Sequence, residues 1–278
     1  MSNAPLDAKS RLDRAGLKPK KSWGQNFLKD ESVHRDIASA IGASSGHTVL
    51  ELGAGLGALT HFLCESGARV VAIERDRELV PLLREAMAQF ESFEVREANA
   101  ATLDYAALAA ELGGELRIAG NLPYQISSRI LVSIADAADH VERAVVLVQR
   151  EVADRLAADP GGKTRGLLSV LIQRRFNVER MRTVAPGAFH PPPKVHSAVV
   201  RLVKHDSHLE PALDEAMIEL VRAGFASRRK SLRNGLKAKL GAESADALLS
   251  RAEIDPGRRA ETLSLTEWQR LATQKAAG

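Results

Sequence analysis

Residues 119–127, AGNLPYQIS, put an amide, a rigid ring and an aromatic at the open end of a short apolar run. The Asn121 side-chain oxygen and the Leu122 carbonyl can both accept hydrogen bonds from one planar amino group. Pro123 fixes its own φ and biases Leu122 toward an extended conformation, which aims that carbonyl outward. Tyr124 offers a flat face for a purine or pyrimidine, and such stacking is worth ~1–3 kcal/mol per base. The chemistry suits an amino-bearing base, held edge-on by two acceptors and face-on by an aromatic. The plainer alternative is a proline turn with Asn121 as a helix cap and Tyr124 as core filler.

A second cluster lies upstream, in ELGAGLGALT (51–60). Gly53, Gly55 and Gly57 let a turn approach a ligand closely, and the helix after them begins with its positive dipole end nearby. Gly53, Gly55 and Ala58 also satisfy the G-x-G-x-x-G/A dinucleotide pattern, so this turn alone leaves NAD and other adenosine-containing cofactors open. Glu74 closes the next apolar run, where a carboxylate can accept from ribose hydroxyls. Two further matches are set aside. GASSG (42–46) precedes the first strand, whereas a nucleophile elbow follows one. GGKT (161–164) lacks the earlier glycine of a phosphate-binding loop, since Ala157 stands there.

These residues need a scaffold, and the pattern around them supplies one. Short runs at Val49–Leu52, Val70–Ile73, Phe93–Val95, Leu116–Ile118 and Ala144–Val148 read as strands, with helical periodicity at 58–65 and 78–90. This alternation predicts an α/β fold, a parallel sheet with flanking helices, and places binding at the carboxyl ends of the strands. Residues 178–184 and 198–203, joined by the proline-rich FHPPPKV, read as two antiparallel strands added at one edge. After KHDSH, residues 210–278 read as helices only. The expected division is a basic N-terminal arm (1–22), an α/β domain (23–204) and a helical domain (205–278).

The 278-residue chain is 45% hydrophobic and 27% charged, within the range of a globular protein of one or two domains. No apolar run approaches the ~20 residues of a membrane span, and the N-terminus lacks the apolar core of a secretory signal. The single cysteine, Cys64, excludes an internal disulfide and fits a reducing cytoplasm. The scattered histidines argue against a metal site. Net charge is only +4, yet residues 222–239 hold Arg222, Arg228, Arg229, Lys230, Arg233, Lys237 and Lys239 without an acid. Segregated positive charge, in the arm as well, points to nucleic acid as the partner; a basic solvated helix face is the plainer reading. No segment reads as a spare apolar interface, so a monomer is expected.

WGQNFL (23–28), ELGAGLG (51–57), AIERD (72–76), NLPYQIS (121–127), FHPPPKVHSAVVRL (189–202) and FASRRKSLRNGL (225–236) occur in that order. Together they resemble the ribosomal RNA adenine dimethyltransferases, specifically those of the small-subunit (16S) type, over residues from about 20 to 270. The resemblance implies a Rossmann-like methyltransferase domain with a small helical C-terminal domain, and S-adenosylmethionine as the cofactor. It implies cofactor contacts at Asn26, Leu28, Gly53, Gly55 and Glu74, with Asn121 between cofactor and target. It also implies that Phe189 sandwiches the target base against Tyr124, and that the basic helical segment, Arg222 to Lys237, meets RNA. Where the family usually has an Asp for the cofactor's adenine amine, this chain has Asn99, with Asp104 a distant substitute. Gln125 stands where relatives often carry Asn or an aromatic.

The implied chemistry is methyl transfer to the exocyclic amine of adenosine, twice, on two adjacent adenosines of a 3′-terminal hairpin loop. The implied setting is late small-subunit biogenesis. The rivals are the large-subunit methyltransferases of the macrolide-resistance type, an NAD oxidoreductase, which leaves NLPY unexplained, and a non-catalytic assembly factor on the same fold.

Overall fold

Runs such as Val49–Leu52 and Val70–Ile73 are buried at successive positions, not alternate ones, which is what a strand covered on both faces of a parallel sheet requires. The computed structural model, which describes residues 7–205, 209–227 and 229–277, shows them as such. In chain order the strands and helices of the first part are α1 (Ala8–Arg14), β1 (Phe27–Leu28), α2 (Glu31–Ile41), β2 (Thr48–Leu52), α3 (Ala58–Glu65), β3 (Arg69–Glu74), α4 (Leu79–Ala86) and β4 (Phe93–Glu97). There follow α5 (Tyr105–Leu112), β5 (Leu116–Asn121), α6 (Ser127–Asp136), β6 (Val141–Gln149), α7 (Arg150–Leu156), α8 (Leu167–Gln173), β7 (Phe176–Val184), β8 (Phe189–His190) and β9 (Ser197–Lys204). Among the described residues no helix is long and apolar enough to cross a membrane.

The seven-stranded sheet has the order β4-β3-β2-β5-β6-β9-β7. Neighbours from β4 to β6 run parallel, and β9 runs antiparallel to β6, with Val146 opposite Val200. From β2 the chain winds outward to β3 and β4, then returns to β5 on the other side. The carboxyl ends of β2 and β5 therefore flank the topological switch point, where an α/β sheet opens a crevice. Gly120 permits the two strands to approach there, because a Cβ on it would collide with the Leu52 carbonyl oxygen. Val33, Ile37 and Ile41 of α2, one helical stripe, pack with Leu59 and Leu63 of α3 over Val49, Val145 and Val199 of the sheet.

The chain forms two compact units, and their division departs from the expected boundary near Lys204. One unit holds residues up to Ala153 and Asn177–Lys204; the other holds Asp154–Phe176 and everything from His205 onward. Residues 154–176 belong to the second unit because Val170 of α8 packs in the helical core with Met217, Leu220 and Trp268. Gly161 N–H donates to the Glu261 carbonyl at 2.8 Å, and Arg174 Nε to Asp214 at 3.0 Å. The rest of this unit is α9 (Pro211–Phe225), α10 (Leu232–Leu240), α11 (Ala242–Arg251) and α12 (Leu265–Ala276), the last started by a Ser264–Glu267 capping box.

Three other expectations are corrected. The N-terminal segment is not a free basic arm. Ala8 and Leu12 of α1 are buried with Leu56 and Leu79, and Arg11 donates to the Leu56 and Leu82 carbonyls. The basic stretch 222–239 is not one helix but the end of α9, a turn, and α10, which starts anew after an extended Ser231. FHPPPKV is more than a connector, because Phe189 and His190 form β8 against β1.

Candidate active site

A cleft of about 1030 Å³, counting its open mouth, lies at the switch point within the first unit. The cleft is lined by most of the residues expected at the site: Asn26, Leu28, Gly53, Gly55, Glu74, Asn99, Asn121, Leu122, Pro123 and Tyr124. They come from five separate stretches of chain, brought together because β2, β3 and β5 end side by side.

The glycine turn and Glu74 are one hydrogen-bonded unit. Gly55 sits at φ 58°, in the left-handed region, and so turns its N–H to donate to Glu74 Oε2 at 2.8 Å. Glu74 Oε1 accepts from the Asp76 N–H, also at 2.8 Å. Burial pushes the Glu74 pKa up, and these two amides pull against that shift. Each carboxylate oxygen retains a further lone pair for a ligand hydroxyl. Asp76 in turn accepts from Lys20 Nζ at 2.6 Å and Gln25 Nε2 at 2.7 Å. Burial opposes the Asp76 charge, but those donors hold its pKa below the ordinary carboxylate value. Lys20, counted in sequence as part of the basic arm, is thus tied to the cleft wall.

At the end of β5, Asn121 is the last strand residue, where the sequence suggested a loop. Its Nδ2 donates to the Asn26 carbonyl at 2.9 Å. That bond sets the amide orientation and leaves Oδ1 as the acceptor for another group. Leu122 N–H donates to the Leu147 carbonyl at 3.0 Å, and Ile126 N–H to that of Pro123 at 3.1 Å, which fix the loop at both ends. The half-buried Tyr124 has its hydroxyl 2.6 Å from Ser197 Oγ, so the ring is held from β9. The helix-cap reading of Asn121 does not apply; α6 begins at Ser127 with no side-chain cap.

Two expected residues behave differently. Asn99 lines the cleft, but its Oδ1 accepts from the Ala101 N–H at 3.1 Å and caps the short turn after β4. Phe189 does not line the cleft. It is 1% exposed, opposite Leu28 in the β1–β8 pair and packed in the core, so its ring presents no open face to a base. The FHPPPKV motif carries the resemblance, yet residue type alone does not report that the ring is enclosed.

Several lining residues were not singled out in sequence: Trp23, Gln25, His34, Glu51 and Arg75. Trp23 meets two cations, with Lys20 Nζ 4.7 Å and the Arg75 guanidinium 4.2 Å from its ring centre. His34 Nε2 lies 3.2 Å from the Leu28 carbonyl, and burial lowers its pKa to about 4. Two carboxyls, Glu51 and Glu74, thus face a cleft whose wall has one arginine and no lysine among the described residues. The acceptor set suits a cationic ligand and disfavours the paired negative charges of a dinucleotide pyrophosphate.

In the second unit, Arg222 ends α9, Arg229 and Lys230 lie in the turn, and Lys237 is on α10; all four are exposed. Arg233 is different, paired with both Asp246 oxygens at 2.5 and 2.6 Å. Lys239 pairs with Glu219 at 3.3 Å. Arg228 lies outside the described residues.

Comparison with known proteins adds identity to this geometry. Residues 16–277 match the family model described as ribosomal RNA adenine dimethylase. The chain is 51% identical over 273 residues to the ribosomal RNA small subunit methyltransferase A of Anaeromyxobacter sp. (strain K), covering 94% of each chain. It is 44% identical over 258 residues to the protein of the same name from Pseudomonas aeruginosa, covering 92% of this chain and 94% of that one. Among solved structures, the 23S rRNA methyltransferase ErmE superposes with a TM-score of 0.70 at 28% identity, over 90% of this chain and 99% of that one. A dimethyladenosine transferase from Plasmodium falciparum gives 0.76 at 22% identity, over 88% and 95%, a likeness of fold.

Proposed function

Because the chain belongs to the ribosomal RNA adenine dimethylase family, we propose that it transfers methyl groups from S-adenosylmethionine to the exocyclic amines of two adjacent adenosines. The substrate in this reading is a 3′-terminal hairpin loop of small-subunit (16S) RNA, met late in subunit biogenesis. The observation that carries the chemistry is the Asn121 amide, anchored through Nδ2 to the Asn26 carbonyl and so left with Oδ1 as an acceptor at the cleft.

S-adenosylmethionine supplies an electrophilic methyl on a sulfonium. The cleft residues suit it: Glu74 for ribose hydroxyls, the Gly53–Gly55 turn for close approach, and acidic walls for positive charge. The target nitrogen is a poor nucleophile, since its lone pair is delocalised into the ring. Accepting its hydrogens at Asn121 Oδ1 and the Leu122 carbonyl favours the pyramidal, reactive geometry and stabilises the positive charge that develops there. Tyr124 supplies a stacking face, and its tie to Ser197 holds that face in place before the base arrives. The methylated nitrogen releases its proton to solvent, so no dedicated base is needed. The base must leave its stack to enter, which favours a loop or single strand. The exposed Arg222, Arg229, Lys230 and Lys237 of the second unit suit RNA phosphates.

The small-subunit substrate is favoured over the large-subunit one because the named small-subunit relatives are 44–51% identical, against 28% for ErmE. The test offers labelled S-adenosylmethionine to undermethylated small subunits, large subunits and free RNA, then identifies the labelled nucleoside. Dimethyladenosine confined to small-subunit RNA is the expected result. Label in large-subunit RNA overturns the substrate, and tight subunit binding without label overturns the chemistry.

A further inference from the structure

The loop PPPKVH (191–196) connects two parts of the candidate site. In β8, just before it, Phe189 pairs with Leu28 of the cleft wall. Ser197, just after it, has its Oγ 2.6 Å from the Tyr124 hydroxyl. Three successive prolines fix φ and offer no backbone donor, so the loop between these ties is stiff. Toward its end Val195 is 45% exposed, the one large hydrophobic residue left exposed among the described residues. Lone apolar residues are ordinary on a surface, but this one has cations for company. Lys194 precedes it, and Arg150 donates its N–H to the His196 carbonyl at 3.0 Å. Arg129 of α6 stands shortly after Ser127, whose Oγ donates to the Tyr124 carbonyl at 3.2 Å. All three cations are exposed, and none is paired with an acid among the described residues.

We propose that Val195 is a platform for the nucleotide beside the target adenosine, its isopropyl group against that neighbour's base, with Lys194, Arg150 and Arg129 on the flanking phosphates. This rests on the reading that the cleft methylates two adjacent adenosines of RNA. Drawing one of them into the cleft takes it out of the stack, which strips one face of its neighbour. An apolar group on a stiff loop covers that face and loses little conformational freedom in doing so. Contact with the face reads no donor or acceptor on the base edge. The same valine therefore serves whichever adenosine of the pair is the neighbour, as two rounds on adjacent bases require. A polyanion without bases would satisfy the cations and leave Val195 in water.

The test uses the full chain and undermethylated small subunits, with the adenosine pair intact or with one of the two made abasic. The readout is kcat/KM for methyl transfer to the other adenosine. On intact pairs Val195→Ser should lower it about fivefold, and Val195→Ile should preserve it. With an abasic neighbour the wild type should fall by a similar factor, and Val195→Ser should fall no further. Lys194→Ala should weaken both substrates alike, by a factor that shrinks as salt rises. Equal loss from Val195→Ser on intact and abasic substrates overturns the platform, as does no loss on intact pairs. Absence of dimethyladenosine with the wild type and intact pairs overturns the methyl-transfer reading itself, and this is distinguishable from transfer that ignores the neighbour.

Discussion

The two regions that carry the chemistry hold their polar groups in opposite ways. At the cleft, three polar side chains are tied to backbone: Glu74 to Gly55 and Asp76, Asn121 to Asn26, Asn99 to Ala101. On the second unit, Arg222, Arg229, Lys230 and Lys237 extend from the surface, and only Arg233 and Lys239 of the basic stretch are paired with acids among the described residues. Anchored groups act by position, so removing one should act on the chemical step. Exposed charges act through their summed field, so removing one should act on affinity, and salt should mask it.

The largest effect expected from this contrast is at Asn121. Asn121→Ala removes the acceptor and should lower single-turnover methyl transfer by at least about 10²–10³-fold. Thermal melting should move little, since a single hydrogen bond, worth about 1 kcal/mol, goes with the amide. RNA affinity should be unchanged. Retained turnover would sink the assignment of Asn121, and a parallel loss of RNA binding would erase the distinction between the two regions.

Stability in the second unit depends on a crossing of α9 and α10 at two glycines. A Cβ on Gly235 would sit 2.7 Å from the Ala223 carbonyl oxygen and 3.1 Å from Gly224 Cα. Gly235→Val should cost about 1–3 kcal/mol in urea unfolding, as overpacking does. Cofactor affinity of the folded chain should stay as in the wild type. A neutral variant would show that the helices part at no cost.

The exposed charges come next in size. Arg229→Ala with Lys230→Ala should weaken RNA binding about tenfold and reduce the salt slope by about 0.7–0.9 for each phosphate left without its cation. Arg233→Ala should do less, because its guanidinium is already committed to Asp246. Titrations across a range of salt concentrations separate the two cases, and an equal loss in both would mean that the Asp246 pair opens on RNA.

Much of this was legible in the residues, for identifiable reasons. The strands of a parallel sheet are buried on both faces and read as near-continuous apolar runs, so β2, β3 and β6 stood out. Gly55 and Asn121 were legible because turn geometry and amide chemistry restrict the residue types. The assignment of residues 154–176 to the helical unit was not, since a domain made of two chain segments leaves no local mark. Lys20 and Arg11 looked like partners for a polyanion because charge shows in sequence and pairing does not. Phe189 is a similar case: a residue type fit for stacking whose ring is enclosed by the β1–β8 pair.

The smallest effect tests how closely the cleft is matched to its cofactor. Asn99 Oδ1 caps the Ala101 N–H, so the other end of the same amide, Nδ2, is a donor. An adenine amine also donates, and the two do not complement each other. Asp at this position would keep the cap, since either carboxylate oxygen accepts from Ala101, and would turn a second, charged acceptor outward. Asn99→Asp is therefore expected to tighten S-adenosylmethionine binding about fivefold, roughly 1 kcal/mol, with no change in melting. Its gain should vanish for an analogue with oxygen in place of the adenine amine, whose acceptor would meet a carboxylate. Equal gains for the two ligands would mean that general charge, not the amine, is being read. No gain for either would mean that the adenine edge is held elsewhere, and that the amide costs this chain nothing.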